Sequence, residues 1–270
     1  MIDIPHLQSI ARQIRRDILF QTNLAGSGHP GGSLSCTEIL VALYFHVMNV
    51  NPVNPEEVSR DRFILSKGHA APALYATLAR KGFFSQDLLK EFRKFGSPLQ
   101  GHPDFQTPGI EVSTGSLGQG LSIANGVALS GKMDKKEYRT FVLLGDGECN
   151  EGQIWEAAMF SPHHKLKNLC AIIDRNQYQI DGTTENILAL EPLKEKWESF
   201  GWDVKTVNGH DFNELISHFD QLGKNNQRPS LIIANTIKGK GISFMENQNA
   251  FHGKCLNAEE MKKALKELED

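Results

Sequence analysis

Cysteine is scarce in this chain. Four occur in 270 residues (Cys36, Cys149, Cys170 and Cys255), far apart and with no CxxC pair, which excludes a disulfide framework and a thiolate zinc site. They read as buried free thiols in a reducing compartment. Long apolar runs are absent too. The longest, Ile39 to Phe45, is far too short to span a bilayer. Met1 to Ile10 lacks a basic stretch leading into an apolar one, so no secretory signal is visible, and a cytoplasmic protein is expected. Net charge is only -3 and Lys and Arg are dispersed, which argues against nucleic acid or an anionic membrane as partner. There is no internal repeat, low-complexity tract or linker. With 40% hydrophobic and 23% charged residues, the expectation is one globular domain spanning 1–270.

Periodicity supplies the fold class. Leu7, Ile10, Ala11, Ile14 and Ile18 fall at helical spacing, opposite Arg12, Arg15 and Arg16. After a glycine-rich loop (26–32), Ser35 and Glu38 form a capping-box pattern before a buried helix over Ile39–Met48. Short apolar strands are predicted at 62–66, 140–144, 169–173 and 230–234. Helices are predicted from Asn150 to near Pro162, over 193–200 with Gly201 as stop, and over 258–268. Apolar strands alternating with helices predict an α/β fold: a mainly parallel sheet with helices on both faces.

Two strand ends carry the chemistry. Gly145-Asp146-Gly147 follows one strand and Asn176 follows the next, with one helix between. A right-handed crossover puts these ends about 5 Å apart, or about 10 Å with one strand between, at the carboxyl edge of the sheet. Asp146, Asn176 and a nearby backbone carbonyl are hard oxygen donors suited to Mg²⁺ or Ca²⁺, yet too few to enclose the ion. Phosphate oxygens and water would complete the shell. Gly147 and its neighbours allow close backbone approach. Four of the ten histidines, His29, His69, His102 and His252, sit beside glycine or proline, where small neighbours open space for a ligand. His210 reads as a strand-to-helix cap, and His6, His46, His163, His164 and His218 as structural. The GxGxxG at 26–31 follows a helix, not a strand, and contains Pro30, so it is not a dinucleotide site.

GDG followed by Asn176 is similar to the thiamine diphosphate signature. The resemblance to the transketolase family extends over essentially the whole chain: GSGHPGG (26–32), SKGHAAPALY (66–75), QGHPD (100–104), STGSLGQGLSIANGVA (113–128), GDGECNEGQIWEAA (145–158), DRNQYQIDG (174–182) and TIKGKGISF…FHGK (236–254). It implies a three-layer thiamine diphosphate-binding fold. It also implies transfer of a two-carbon ketol unit from a ketose, with a pentulose phosphate as the first candidate donor, to an aldose. The cofactor would be held by His69, Gly115, Ser116, Leu117, Asp146, Gly147, Asn176, Ile180, Lys238 and His252. Mg²⁺, or Ca²⁺ in its place, would bind Asp146, Asn176 and the Tyr178 carbonyl. His29 and His252 would move protons, His102 would bind sugar hydroxyls, and Glu151 would relay protons at a subunit interface. The family commonly has Pro where Ser116 stands, which bears on the rigidity of that loop. Lys254 matches a lysine at the substrate entrance. Transketolases are about twice as long, and their pyrimidine-binding domain supplies the glutamate that activates the cofactor. The resemblance therefore implies an α₂β₂ assembly with a C-terminal-half partner chain, helices 39–48 and 152–160 near the interface, and sugar phosphates as substrates. Two other cofactor enzymes, the α subunit of a 2-oxo acid dehydrogenase and 1-deoxyxylulose-phosphate synthase, fit the histidine contexts less well. A non-catalytic remnant would not need Asp146, Asn176 and four histidines intact.

Overall fold

A computed structural model describes residues 2–222 and 227–269. Its centre is a five-stranded parallel sheet in the order β1-β2-β3-β7-β6, formed by β1 (Arg62–Leu65), β2 (Thr140–Gly145), β3 (Leu169–Arg175), β6 (Asp203–Asn208) and β7 (Ser230–Asn235). A two-stranded hairpin, β4 (Tyr178–Gln179) with β5 (Gly182–Thr183), sits beyond its carboxyl edge. Alternate residues of each strand point to opposite faces. Phe63, Phe141, Leu143, Ile172 and Ile232 enter one core with the long helix α1 (Ile4–Ala25), α3 (Thr37–Ala42) and α9 (Phe212–Phe219). Ile64, Val142, Leu144, Ile173 and Ile233 enter the other with α5 (Gln119–Met133), α6 (Gly152–His163) and α8 (Leu193–Ser199). Two buried faces explain why β2 is apolar from Phe141 to Leu144 and β3 from Leu169 to Ile173, and the three-layer α/β expectation holds.

The topology places the ligand crevice. β1 to β2 to β3 steps one way across the sheet. The chain then passes to the far edge as β6 and returns through α9 as β7, between β6 and β3. Reversing the direction while keeping right-handed crossovers moves the connecting helix to the opposite face, which is where α9 lies. The strand order therefore switches between β3 and β7, and open α/β sheets bind ligands outside the carboxyl ends at such a point.

Several local expectations are corrected. Ser35 ends α2 (Pro30–Ser35) and does not cap the following helix; its hydroxyl donates to Asp174 Oδ2 at 2.6 Å. Glu38 is likewise no capping partner, because Arg15 and His210 hold it at 2.6 and 2.9 Å. The segment predicted as one helix over 39–48 is α3 followed by a wide turn, Leu43–Val47, and residues 39–43 are fully buried in this chain's own core, not at an outer surface. Asn150 precedes α6 without capping it, its amide donating to Leu188 O, and Glu151 takes the cap position. His210 lies between β6 and α9, but Asp211 caps α9. Helix α4 (Ala71–Lys81), α9 and strand β6 add to the elements that the sequence predicts. Among the described residues no helix is long and apolar enough to cross a membrane.

Candidate functional site

β2 and β3 are direct neighbours in register, with Gly145 opposite Asp174, so Asp146 and Asn176 emerge side by side. They border an open cleft of about 210 Å³, also lined by Lys67, His69, Leu117, Gly147, Tyr178, Ile180 and His252. Asp146 is buried. Its Oδ2 accepts from Gln177 N at 2.5 Å and from Arg175 at 3.2 Å, whereas Oδ1 accepts, among the described residues, from Gly147 N alone at 2.8 Å. Burial raises its pKa to about 6, the nearby Asp174 adding to the rise and Arg175 opposing it. A buried carboxylate with acceptor capacity left on one oxygen is chemically suited to a hard cation, which would also hold it ionised. Among the described residues no group of three or more His, Cys, Asp or Glu is arranged to hold a metal. The set that fits is therefore Asp146 with amide and carbonyl oxygens, open to outside ligands.

Asn176 is oriented by its neighbours. Its amide nitrogen donates to Asp174 Oδ2 at 3.2 Å, which fixes the opposite face as Oδ1, and Oδ1 accepts from Tyr178 N at 3.1 Å. Asp174 is itself the centre of a buried network. Lys67 Nζ donates to it at 2.5 Å and to Gly32 O at 2.9 Å, and Thr236 and Ser35 donate their hydroxyls. Burial opposes ionisation of Asp174, yet Lys67 and these hydrogen bonds hold its carboxyl below the usual range. Sequence reasoning assigns Lys67, Asp174 and Thr236 no role. The one available signal is a charged residue inside an otherwise apolar strand.

Two imidazoles, His69 and His252, line one side, with His29 packed against both. His29 immediately precedes α2 without a side-chain bond to it, His69 lies in the turn Gly68–Ala70, and His252 ends the turn Asn249–His252. Their ring centroids are 5.3–5.5 Å apart. Lys238 Nζ contacts His252 Nδ1 at 3.0 Å. Burial pushes the pKa of His29 and of His252 down to about 4, with Arg93 the next cause at His29 and Lys238 at His252. His69 is lowered well below the ordinary range, first by burial and then by Lys67. Burial also brings Lys238 down to about 8. The cluster is therefore a set of neutral imidazoles near neutral pH, with His29 Nδ1 buried and unpartnered within the described residues.

His102 packs against Gly115, where an added Cβ would lie 3.1 Å from the imidazole and where φ is +158°. Gly68 lies against the same loop, its missing Cβ leaving room for Gly115 N. Leu117 reaches the cleft, and Ser116 lies between it and Gly115. The start of α5 braces this loop: Gly118 N donates to Glu148 Oε1 at 2.9 Å, so that N–H is already used within the chain. Glu148 also accepts from Ser66 and from Gly145 N, tying the ends of β1 and β2 to the loop. Glu151 lies exposed at the outer rim of the cleft. Lys254 stands apart, paired with Glu260 at 2.9 Å and over the Phe251 ring.

Residues 7–269 match the family model described as transketolase, thiamine diphosphate binding domain. The chain is similar to an apulose-4-phosphate transketolase subunit of Phocaeicola vulgatus, 49% identical over 91% of this chain and 88% of that protein. It is also similar to the 6-deoxy-6-sulfo-D-fructose transketolase subunit SqwG of Clostridium sp. (strain MSTE9), 48% identical over 97% of this chain and 96% of that one. Human transketolase is 41% identical over 97% of this chain but only 42% of its own length. The crystal structure of Campylobacter jejuni transketolase superposes with a TM-score of 0.93 at 35% identity, covering 99% of this chain and 43% of the other. With sequence, fold and family model in agreement over nearly every residue, the chain belongs to the transketolase family, as its thiamine diphosphate-binding N-terminal section.

Proposed function

We propose that this chain is one half of a two-chain transketolase, moving a two-carbon ketol unit from a ketose to an aldose. The observation that carries this reading is the convergence of Asp146, Asn176, His69 and His252 on one cleft, with the His29 ring packed against both imidazoles. Residues 1–270 form a single diphosphate-binding domain, and the pyrimidine-binding domain comes from a second chain in an α₂β₂ assembly. Support for two chains comes from the relatives named as subunits, which this chain covers at 88–96% of their length.

Asp146, Asn176 and the Tyr178 carbonyl hold Mg²⁺, with Ca²⁺ able to replace it. His69, Gly147, the loop Gly115-Ser116-Leu117, Ile180, Lys238 and His252 would hold the cofactor. When bound, thiamine diphosphate supplies the carbanion stabilisation needed to break and remake a carbon–carbon bond. The protein's own share is orientation and proton handling. An ammonium at Lys238 donates to His252 Nδ1 and so leaves the ring proton on Nε2. His29 and His252, neutral by burial, then accept or donate at sugar hydroxyls without carrying charge into the cleft. His102 binds hydroxyls of the substrate, and Glu151 faces the partner. The two split relatives are named for a phosphate-bearing and a sulfo-bearing sugar. That supports an anion-bearing sugar, such as a sugar phosphate, as the substrate here.

Asp146→Ala removes the only carboxylate of the metal set. Calorimetry should show loss of thiamine diphosphate binding in Mg²⁺ while circular dichroism reports an intact fold. Unchanged affinity would sink the site assignment. Asn176→Ala should act the same way, more weakly. Ketol transfer should appear only when the C-terminal-half partner is added, and robust transfer by this chain alone would refute the two-chain reading.

A further inference from the structure

Arg175 closes β3 beside Asp146 and has no part in the roles assigned above. Its guanidinium, 7% exposed, reaches four oxygens on three stretches of chain. One nitrogen donates to Asp146 Oδ2 at 3.2 Å and Thr184 Oγ1 at 2.7 Å; the other donates to Glu185 Oε1 at 2.8 Å and Glu191 Oε1 at 3.1 Å. Both glutamates also grip backbone, Glu185 accepting from Leu190 N at 3.3 Å and Glu191 from Leu193 N at 2.9 Å. One cation thus gathers the tip of β2, the short helix α7 (Thr184–Ile187) and the turn before α8.

The stretch between, 177–191, is also tied by single hydrogen bonds to its backbone carbonyls: Asn249 to Ile180 O at 2.9 Å, Asn150 to Leu188 O at 3.1 Å and Lys196 to Leu190 O at 2.6 Å. Its regular structure is the two-residue ladder of β4 with β5 and one helical turn. Ile180, Ile187 and Leu188 are 63%, 47% and 59% exposed, leaving Leu190 as the apolar anchor near its end. Yet Tyr178, Gln179 and Ile180 on this stretch form one wall of the cleft. Apolar burial is too slight to fix that wall. A guanidinium fork shared by two carboxylates gives direction as well as attraction, and its buried side lies in low dielectric where charge pairs act strongly.

We propose that Arg175 is a positioning residue that fastens the 177–191 wall to the sheet edge through Glu185 and Glu191 while orienting Asp146. By occupying Oδ2 together with Gln177 N, it leaves Oδ1 as the acceptor with spare capacity. This rests on the assignment of Asp146 and the cleft to the magnesium and diphosphate end of the cofactor.

The test is hydrogen exchange on the full chain, read by mass spectrometry, with calorimetry of thiamine diphosphate in saturating Mg²⁺. Glu185→Gln/Glu191→Gln alters two half-exposed side chains and keeps the Arg175–Asp146 contact. Without cofactor, peptides over 177–191 should exchange about tenfold faster than in the parent chain while β2 and β3 stay protected. Cofactor affinity should fall at least several-fold. Arg175→Met should speed exchange equally and weaken binding further, since Asp146 also loses its orienting partner. Parental exchange in the double variant, or fast exchange with parental affinity, overturns the proposal. Should Arg175→Met fail to fold, the double variant decides alone. Failure of the parent chain to bind cofactor even with the C-terminal-half partner added would refute the site assignment, while the exchange data would still judge the fastening.

Discussion

Lys67 and Asp174, 107 positions apart in sequence, form an ion pair of 2.5 Å in which neither side chain is more than 1% exposed. Neither residue is a proposed ligand, yet Asp174 orients the Asn176 amide and Lys67 holds the carbonyl of Gly32 in α2, the helix that follows His29. Lys67→Met leaves a buried carboxylate without its cation and should cost about 3–5 kcal/mol in chemical denaturation. Adding Asp174→Asn should recover much of that loss, because both charges are then gone. A double variant no more stable than Lys67→Met would show that the pair's charges are not what matters.

Gly31 touches the other end of the site. An added Cβ would meet Phe251 O at 2.8 Å and Lys238 Cγ at 3.3 Å. Gly31→Ala should therefore displace the turn bearing His252, lowering ketol transfer in the assembled enzyme roughly tenfold or more. Thermal stability should fall less than in Lys67→Met. Parental kinetics in this variant would mean that the turn can yield without consequence.

Acid should destabilise the chain through its imidazoles. His29 and His252 have folded pKa values of about 4 against 6.5 for the free side chain, and His69 shifts the same way. Between these values the unfolded state binds more protons, so stability is fully present above about 6.5 and is lost as pH falls toward 4. Replacing His29 and His252 with Asn should flatten that part of the stability–pH profile. An unchanged slope would place the acid sensitivity elsewhere.

The second core offers a comparison of two indoles. Trp202 Nε1 donates to Ala158 O at 2.8 Å, whereas Trp197 Nε1 is buried without a partner among the described residues, the rings lying 5.0 Å apart edge to face. Removing a satisfied donor strands its acceptor, while removing an unsatisfied one relieves a desolvation cost. Trp202→Phe should therefore cost about 1 kcal/mol more than Trp197→Phe in urea unfolding.

The strands that position the site are legible in the sequence because β2, β3 and β7 are short apolar runs ending in Gly, Asp or Asn, and buried parallel strands read that way. Edge strand β6 is not, since Lys205 and Thr206 face solvent and break the run. The Ser35–Glu38 pattern misleads for a tertiary reason. Ser35 bonds Asp174 and Glu38 pairs with Arg15, partners that no local window contains. The four glycine- or proline-flanked histidines are visible singly, but the convergence of His29, His69 and His252 depends on turns scattered from 29 to 252. Lys67 escapes notice because nothing near it in sequence reveals a buried anion.

The network around Asp174 has a consequence for how the chain matures. Its donors come from Ser35, Lys67, Asn176 and Thr236, and the imidazole cluster is complete only with His252. During synthesis, the first helices and three strands can emerge and collapse while Asp174 still lacks Thr236. Such long-range closures form late and slowly. The proposed cofactor cleft would therefore be complete on this chain only once the stretch 230–252 has placed its strand between β3 and β6. A nascent chain that ends before this stretch would lack Thr236 and His252, and with them the last donor to Asp174 and one ring of the imidazole cluster.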